Sequence, residues 1–126
     1  MYTFNNGDIY QGQWNIATNK PEGQGVMIRA SDNELYEGHF INGLKHGYGR
    51  SIYEVGSIYV GQWKEGKEDG IGTEFWSKKS ANAKTMYDGE WKEEKKHGYG
   101  VYTTNNGDRY EGEWKDDQMD GKGILI

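Results

Sequence analysis

Short segments of the chain alternate between apolar and polar positions with a period of two. Five times an aromatic, a glycine and a second aromatic stand at i, i+2 and i+4: Tyr10/Gly12/Trp14, Tyr36/Gly38/Phe40, Tyr59/Gly61/Trp63, Tyr87/Gly89/Trp91 and Tyr110/Gly112/Trp114. The residues between them are Gln11/Gln13, Glu37/His39, Val60/Gln62, Asp88/Glu90 and Glu111/Glu113, polar in nine of ten cases. Such alternation sets the rings and the glycine on one face of a strand and leaves the other face to water. It predicts five half-buried strands.

Each of these strands leads to a Gly-x-Gly: Gly23/Gly25, Gly47/Gly49, Gly70/Gly72, Gly98/Gly100 and Gly121/Gly123. The step from the second aromatic to the first glycine is seven residues in four copies and nine in the first, whose longer loop contains Pro21, the only proline. The motif tyrosines recur at steps of 26, 23, 28 and 23 residues. The base period is therefore 23, and the step of 28 carries a polar insertion from Ser77 to Thr85. Periodicity on this scale marks a repeat architecture. The motif positions absorb 15 of the 20 glycines; the rest, Gly7, Gly43, Gly56, Gly66 and Gly107, fall where turns are needed. Asn42-Gly43 and Asn106-Gly107 are strong turn signals, because both residue types tolerate positive φ. Each repeat thus reads as a hairpin: motif strand, polar turn, then a second strand opening on Gly-x-Gly. Glycine inside a strand normally weakens it. Here it makes room for a neighbouring ring to lie flat across the sheet.

Composition narrows the fold further. Hydrophobic residues are 33% of the 126 and mean hydropathy is -1.05, too little for a thick aliphatic core, whereas aromatics reach 14%, too many for a disordered chain. A transmembrane protein, a collagen and a helical bundle are excluded, and an aromatic-rich, glycine-punctuated β domain spanning 1–126 is expected. Net charge is -5. Residues 1–63 carry 4 basic against 6 acidic side chains, and 64–126 carry 11 against 14. With no basic half, nucleic acid is not an expected partner. An anionic membrane is disfavoured on the same ground, with Lys92, Lys95 and Lys96 the place where positive charge could collect. The absence of cysteine removes disulfides, thiolate zinc sites and cysteine nucleophiles. No run of seven apolar residues occurs in Met1 to Lys20, and a cytoplasmic protein is expected.

These residues resemble the MORN (membrane occupation and recognition nexus) repeat. The family pattern runs Tyr-x-Gly-x-Trp, a charged turn, His-Gly-x-Gly and a Gly-Asp-x-Tyr-like link. The fourth copy matches throughout, with Tyr87-Asp88-Gly89-Glu90-Trp91, Lys96-His97-Gly98-Tyr99-Gly100 and Asn106-Gly107-Asp108-Arg109-Tyr110. Copies begin near Tyr10, Tyr36, Tyr59, Tyr87 and Tyr110, after a leading half-repeat over 1–9. The resemblance implies an all-β fold, a single elongated, twisted, open-ended antiparallel sheet without a second layer. One leading strand and five hairpins make 11 strands, a strip on the order of 50 Å long. Phe40 for Trp, His39 for an acidic residue, and the lengthened first turn and third link are departures from the pattern.

Candidate chemistry is sparse. His39, His46 and His97 are the only histidines. His46 and His97 share a motif slot two repeats apart, too far to share a metal. The pairs Asp88/Glu90 and Glu111/Glu113 read as a solvated face. Asp116 to Gly121 hints at a calcium loop, but the chain ends one residue short of the glutamate that loop requires. No nucleophile motif or phosphate loop is present, so neither an enzyme nor a cofactor is expected.

The aromatic rows are the candidate binding surface: Tyr10, Trp14, Tyr36, Phe40, Tyr59, Trp63, Tyr87, Trp91, Tyr110 and Trp114. A one-layer sheet is expected to leave a contiguous aromatic strip partly exposed, and such strips mark interfaces. An amphipathic helix in the groove is the expected partner, as the resemblance also implies. An open sheet also has two edges, and Ile124, Leu125 and Ile126 end the last strand without a charge, inviting strand pairing or a homodimer. The expected function is a non-enzymatic scaffold binding a protein segment. By resemblance alone it is a subunit of a ciliary or cytoskeletal assembly, such as a radial-spoke-like part of an axoneme. The alternatives are a peripheral membrane or phosphoinositide adaptor and a glycan-binding repeat module.

Overall fold

The computed structural model describes the backbone of residues 1–126 and every side chain except that of Lys122. The chain forms β1 (Tyr2–Thr3), β2 (Ile9–Asn15), β3 (Lys20–Ile28), β4 (Leu35–Ile41), β5 (Leu44–Ile52), β6 (Ser57–Lys64), β7 (Lys67–Trp76), β8 (Met86–Lys92), β9 (Lys95–Thr103), β10 (Arg109–Lys115) and β11 (Gln118–Leu125). All 11 lie in one sheet in sequence order, each antiparallel to its neighbours. This is the open sheet of consecutive hairpins that the repeat pattern implies.

Register explains the glycines. Gly12, Gly25, Gly38, Gly49, Gly61, Gly72, Gly89, Gly100, Gly112 and Gly123 pair across successive strands, so they form one transverse row from β2 to β11. Each motif tyrosine lies over this row. A methyl group added at Gly25, Gly49, Gly72, Gly100 or Gly123 would stand only 2.0–2.3 Å from the nearest tyrosine atom. The rings pack directly on backbone, so one layer suffices.

The first glycine of each Gly-x-Gly has another task. Between Gly38 and Phe40 the first strand advances two residues while its partner advances four, from Gly49 to Lys45. The same slip recurs in every hairpin. The surplus forms a bulge around Gly23, Gly47, Gly70, Gly98 and Gly121, at φ between +67° and +101°. In three hairpins the amide freed by the bulge is held by a side chain of the motif strand. Gln24 and Ile71 donate to Oε1 of Gln13 and Gln62, both at 2.7 Å, and Tyr99 donates to Oε2 of Glu90 at 2.6 Å. Glu90 is therefore exposed but structurally engaged.

Four hairpin turns have two consecutive positive φ values: Asn42–Gly43, Glu65–Gly66, Glu93–Glu94 and Asp116–Asp117. The last two lack glycine, which side-chain propensity would not suggest. Contacts to the preceding hairpin hold them. The second turn residue donates backward in each case, Gly43 to Pro21 O (2.9 Å), Gly66 to Lys45 O (2.8 Å), Glu94 to Glu68 O (2.9 Å) and Asp117 to Lys96 O (3.1 Å). At the other turn signal, Gly107 alone adopts positive φ, closing the β9–β10 link.

Candidate protein-binding surface

On the face carrying the motif aromatics, each ring meets the next edge-on. The chain of contacts runs Trp14, Tyr10, Phe40, Tyr36, Trp63, Tyr59, Trp91, Tyr87, Trp114, Tyr110, with centroids 5.0–6.0 Å apart and interplanar angles of 80–89° at every step but the first. Edge-to-face pairs are worth about 0.5–1.5 kcal/mol each beyond area burial. The polar tips are also satisfied. Tyrosine hydroxyls donate to the carbonyl three residues on: Tyr10 to Gln13 (2.6 Å), Tyr36 to His39, Tyr59 to Gln62 and Tyr87 to Glu90 (all 2.8 Å), and Tyr110 to Glu113 (3.2 Å). Burial raises the phenol pKa of Tyr36, Tyr59 and Tyr87 above 10.0. Indoles reach back one hairpin: Trp63 donates to Gly49 O (3.1 Å), Trp91 to Gly72 O (3.0 Å) and Trp114 to Gly100 O (3.2 Å). Phe40 occupies the same socket without that donor, and Trp14 turns to Asn19 Oδ1 at 3.3 Å.

The ten predicted ring positions are thus brought together in one ladder, but their expected exposure is corrected. Tyr10, Tyr36, Phe40, Tyr59, Trp63, Tyr87, Trp91, Tyr110 and Trp114 are all buried, with exposures of 0–8%, and only Trp14 is half-buried. The rings close on one another, and a second tier lies above them. Phe4, Met27, Tyr53 and Tyr102 pack against the ladder. The Lys45 ammonium sits 4.7 Å from the Trp63 centroid and 5.6 Å from that of Tyr36. Lys96 lies 5.5–6.0 Å from Tyr87, Trp91 and Trp114. Both are cation–π contacts, favourable over aromatic faces.

That tier is ionic, and the periodicity of the motif gives no sign of it. Glu34, 3% exposed, accepts from Lys45, from Arg29 at 3.0 Å and from Ser51 Oγ at 3.0 Å. Arg29 also clamps Asp32 through two bonds of 3.0 and 2.6 Å, which holds the Asp32 pKa down to about 2. Glu74 takes Lys96 at 3.7 Å. Glu68 accepts from the Tyr53 hydroxyl at 3.1 Å, and burial raises its pKa above the usual carboxylate range. Two adjoining hollows open on this face. One of about 280 Å³ is lined by Met27, Tyr36, Phe40, Leu44 and Lys45 among others; the second, about 300 Å³, includes Tyr53, Ser57, Glu68, Glu74 and Glu94, and the two share Arg29, Glu34, Lys45 and Gly66.

Other sequence candidates fall elsewhere. Ile124, Leu125 and Ile126 are exposed by 63–77% at the β11 edge, where Ile126 exchanges backbone bonds with Arg109. His46 has a structural partner: its Nδ1 accepts from the Glu65 amide at 3.3 Å. Asp88 accepts from Thr73 Oγ1 at 3.0 Å, and Glu111 pairs with Arg109 at 2.6 Å. Among the described residues no group of three or more His, Asp or Glu could hold a metal ion, and no helix is long and apolar enough to cross a membrane.

Comparison with known proteins extends the internal pattern outward. Alsin of Mus musculus is 41% identical over 68 residues, which are 50% of this chain and 4% of Alsin. Inactive protein tyrosine kinase pTKL of Plasmodium berghei is 42% identical over 55 residues, 44% of this chain and 4% of that protein. MORN repeat-containing protein 3 of Xenopus laevis is 37% identical over 80 residues, 59% of this chain and 33% of the relative. The chain therefore spans only a small part of the length of these relatives. The MORN repeat model matches residues 19–34, 36–58, 59–80, 87–109 and 110–126. Four matched segments each coincide with one hairpin and the first takes in β3 with its bulge glycine; together they cover most of the sequence, and the chain belongs to the MORN-repeat family.

Proposed function

We propose that the protein is a non-enzymatic scaffold that docks a protein segment on its ring face, most simply an amphipathic helix. MORN repeats are in general protein- or membrane-interaction modules. The observation that carries the proposal is the pair of adjoining hollows above the ladder, apolar at Met27 and Leu44 and charged at Lys45, Glu68 and Glu94. Tyr10, Trp14, Tyr36, Phe40, Tyr59, Trp63, Tyr87, Trp91, Tyr110 and Trp114 build the floor, and the tier above supplies the contacts. An apolar helix stripe takes the Met27–Leu44 hollow, and its flanking charges set register against the ionic tier. Ile124, Leu125 and Ile126 offer a second contact, by strand addition at the sheet edge. The assembly proposed for such a scaffold is ciliary or cytoskeletal, supported by the repeat resemblance alone.

Leu44 and Glu94 are exposed members of the two hollows, so Leu44→Asp/Glu94→Lys alters the surface and spares the ladder. Affinity capture from a ciliated-cell lysate with wild type and this variant, both confirmed folded, tests the reading. Loss of axonemal or cytoskeletal partners by the variant alone supports it. The same partners on both baits would move binding away from the ring face.

A further inference from the structure

The face opposite the rings carries a ridge that the ring-face proposal leaves unused. The middle residues of the first four Gly-x-Gly, Gln24, Tyr48, Ile71 and Tyr99, point there, and three of these are large and exposed: Tyr48 (64%), Ile71 (55%) and Tyr99 (50%). They stand on β5, β7 and β9. Between and beside them, on β6, β8 and β10, stand Gln62, Glu90 and Glu113, each paired in register with a ridge residue: Tyr48 with Gln62, Ile71 with Glu90, Tyr99 with Glu113. The three ridge residues thus recur on every second strand along the sheet axis.

We propose that this ridge binds a proline-rich segment in the polyproline II conformation, lying across the strands. The periods agree: alternate strands are about 9.6 Å apart, and a polyproline II helix advances about 9.3 Å per three-residue turn, so the mismatch over two turns is about 0.6 Å. An α-helix advances about 6 Å from i to i+4 and about 10.5 Å from i to i+7, so even the nearer match drifts about 1.8 Å from the ridge over two steps, about three times the polyproline II mismatch. Polyproline II ligands dock between upright apolar side chains and lose little entropy, because the free peptide already favours that conformation. The gap between Tyr48 and Ile71 takes one proline, and the gap between Ile71 and Tyr99 takes the residue three positions on.

The floor fits the same ligand. Gln62 uses Oε1 to hold the Ile71 amide at 2.7 Å, which leaves its amide nitrogen to donate to a peptide carbonyl. Polyproline II backbone carbonyls have no internal partner. Towards β10 the floor turns acidic at Glu90 and Glu113, so the segment carries a basic residue at that end.

The probe is a synthetic peptide with proline at every third position, aliphatic residues between and two arginines at one end. Its binding to the full chain is measured by fluorescence anisotropy and by chemical-shift mapping. Binding is expected, with shifts confined to β5–β10 on the ridge face. A scrambled peptide of equal composition and Tyr48→Ala/Tyr99→Ala are each expected to weaken it at least tenfold. Both tyrosines are exposed, so a thermal melt can establish that the variant is folded. Leu44→Asp/Glu94→Lys is expected to bind the probe as wild type does, which separates this site from the ring-face groove. No binding at millimolar peptide, equal binding of the scrambled peptide, or unchanged affinity in the double variant would overturn the proposal.

Discussion

Tyr99 and Gly100 are neighbours in β9, yet they belong to different regimes. Gly100 is buried under the Tyr87 ring, with no room for a methyl group; Tyr99 projects from the other face and is 50% exposed. The contrast holds along the sheet. One face has its rings interlocked, hydrogen-bonded and covered by an ionic tier, and it is the core of a protein with one layer. The opposite face has large apolar side chains in water. In an ordinary domain a second layer would bury one face against another. Here backbone glycine substitutes for that layer, so the rings that hold the sheet together and the exposed ridge of Tyr48, Ile71 and Tyr99 lie on opposite sides.

The sharpest break of this comparison is on the ring side. Trp63→Ala removes a buried indole, two edge-on ring contacts and the bond to Gly49 O, and is expected to lower stability by about 3–5 kcal/mol in urea unfolding. Smaller changes exploit the natural difference between copies. Trp91→Phe leaves Gly72 O without its indole donor and is expected to cost about 1–2 kcal/mol. Phe40→Trp offers the second copy the donor it lacks. Its unfolding midpoint is expected to rise, by about 1 kcal/mol of stability at most.

The ionic tier gives a pH test. Burial raises the folded-state pKa of Glu68 above 4.5, and Tyr53, Lys45 and Glu94 are the groups around it. Its protonated form is favoured in the folded state, so that contribution is complete below pH 4.5 and is lost as pH rises through the raised value. Glu68→Gln is therefore expected to melt higher than wild type at pH 7, with the gap closing towards pH 4. The smallest effect belongs to the opposite face, where Tyr48→Ala is expected to change stability by less than about 0.5 kcal/mol.

The hairpins and the shared face of the ten rings were legible in the sequence because they rest on a period-two pattern and a 23-residue repeat, while the leading strand and the count of 11 followed from the MORN resemblance. The role of Gly25 and its equivalents was legible too, since a glycine opposite a tyrosine has few other uses. Exposure of the rings was not. It depends on contacts between hairpins, as when Trp91 wedges between Tyr59 and Tyr87, which lie 28 residues apart. The Glu34, Lys45 and Ser51 cluster was hidden for a related reason, as it joins non-motif residues from a link and from β5. The Glu93–Glu94 and Asp116–Asp117 turns contradict local propensity because the previous hairpin holds them. Tyr48, Ile71 and Tyr99 were readable as the middle residues of Gly-x-Gly, but nothing in the alternation of the motif strands draws notice to a residue between two glycines.

The most direct test of the two-faced account compares neighbours in one strand. Urea unfolding of Gly100→Ala and Tyr99→Ala should diverge: the added methyl, 2.2 Å from the Tyr87 hydroxyl oxygen, forces the ring off the sheet and is expected to cost about 3 kcal/mol, while loss of the Tyr99 ring costs less than about 0.5 kcal/mol. Equal destabilisation, or a well-folded Gly100→Ala with wild-type stability, would contradict the claim that rings packed on glycine hold this sheet together.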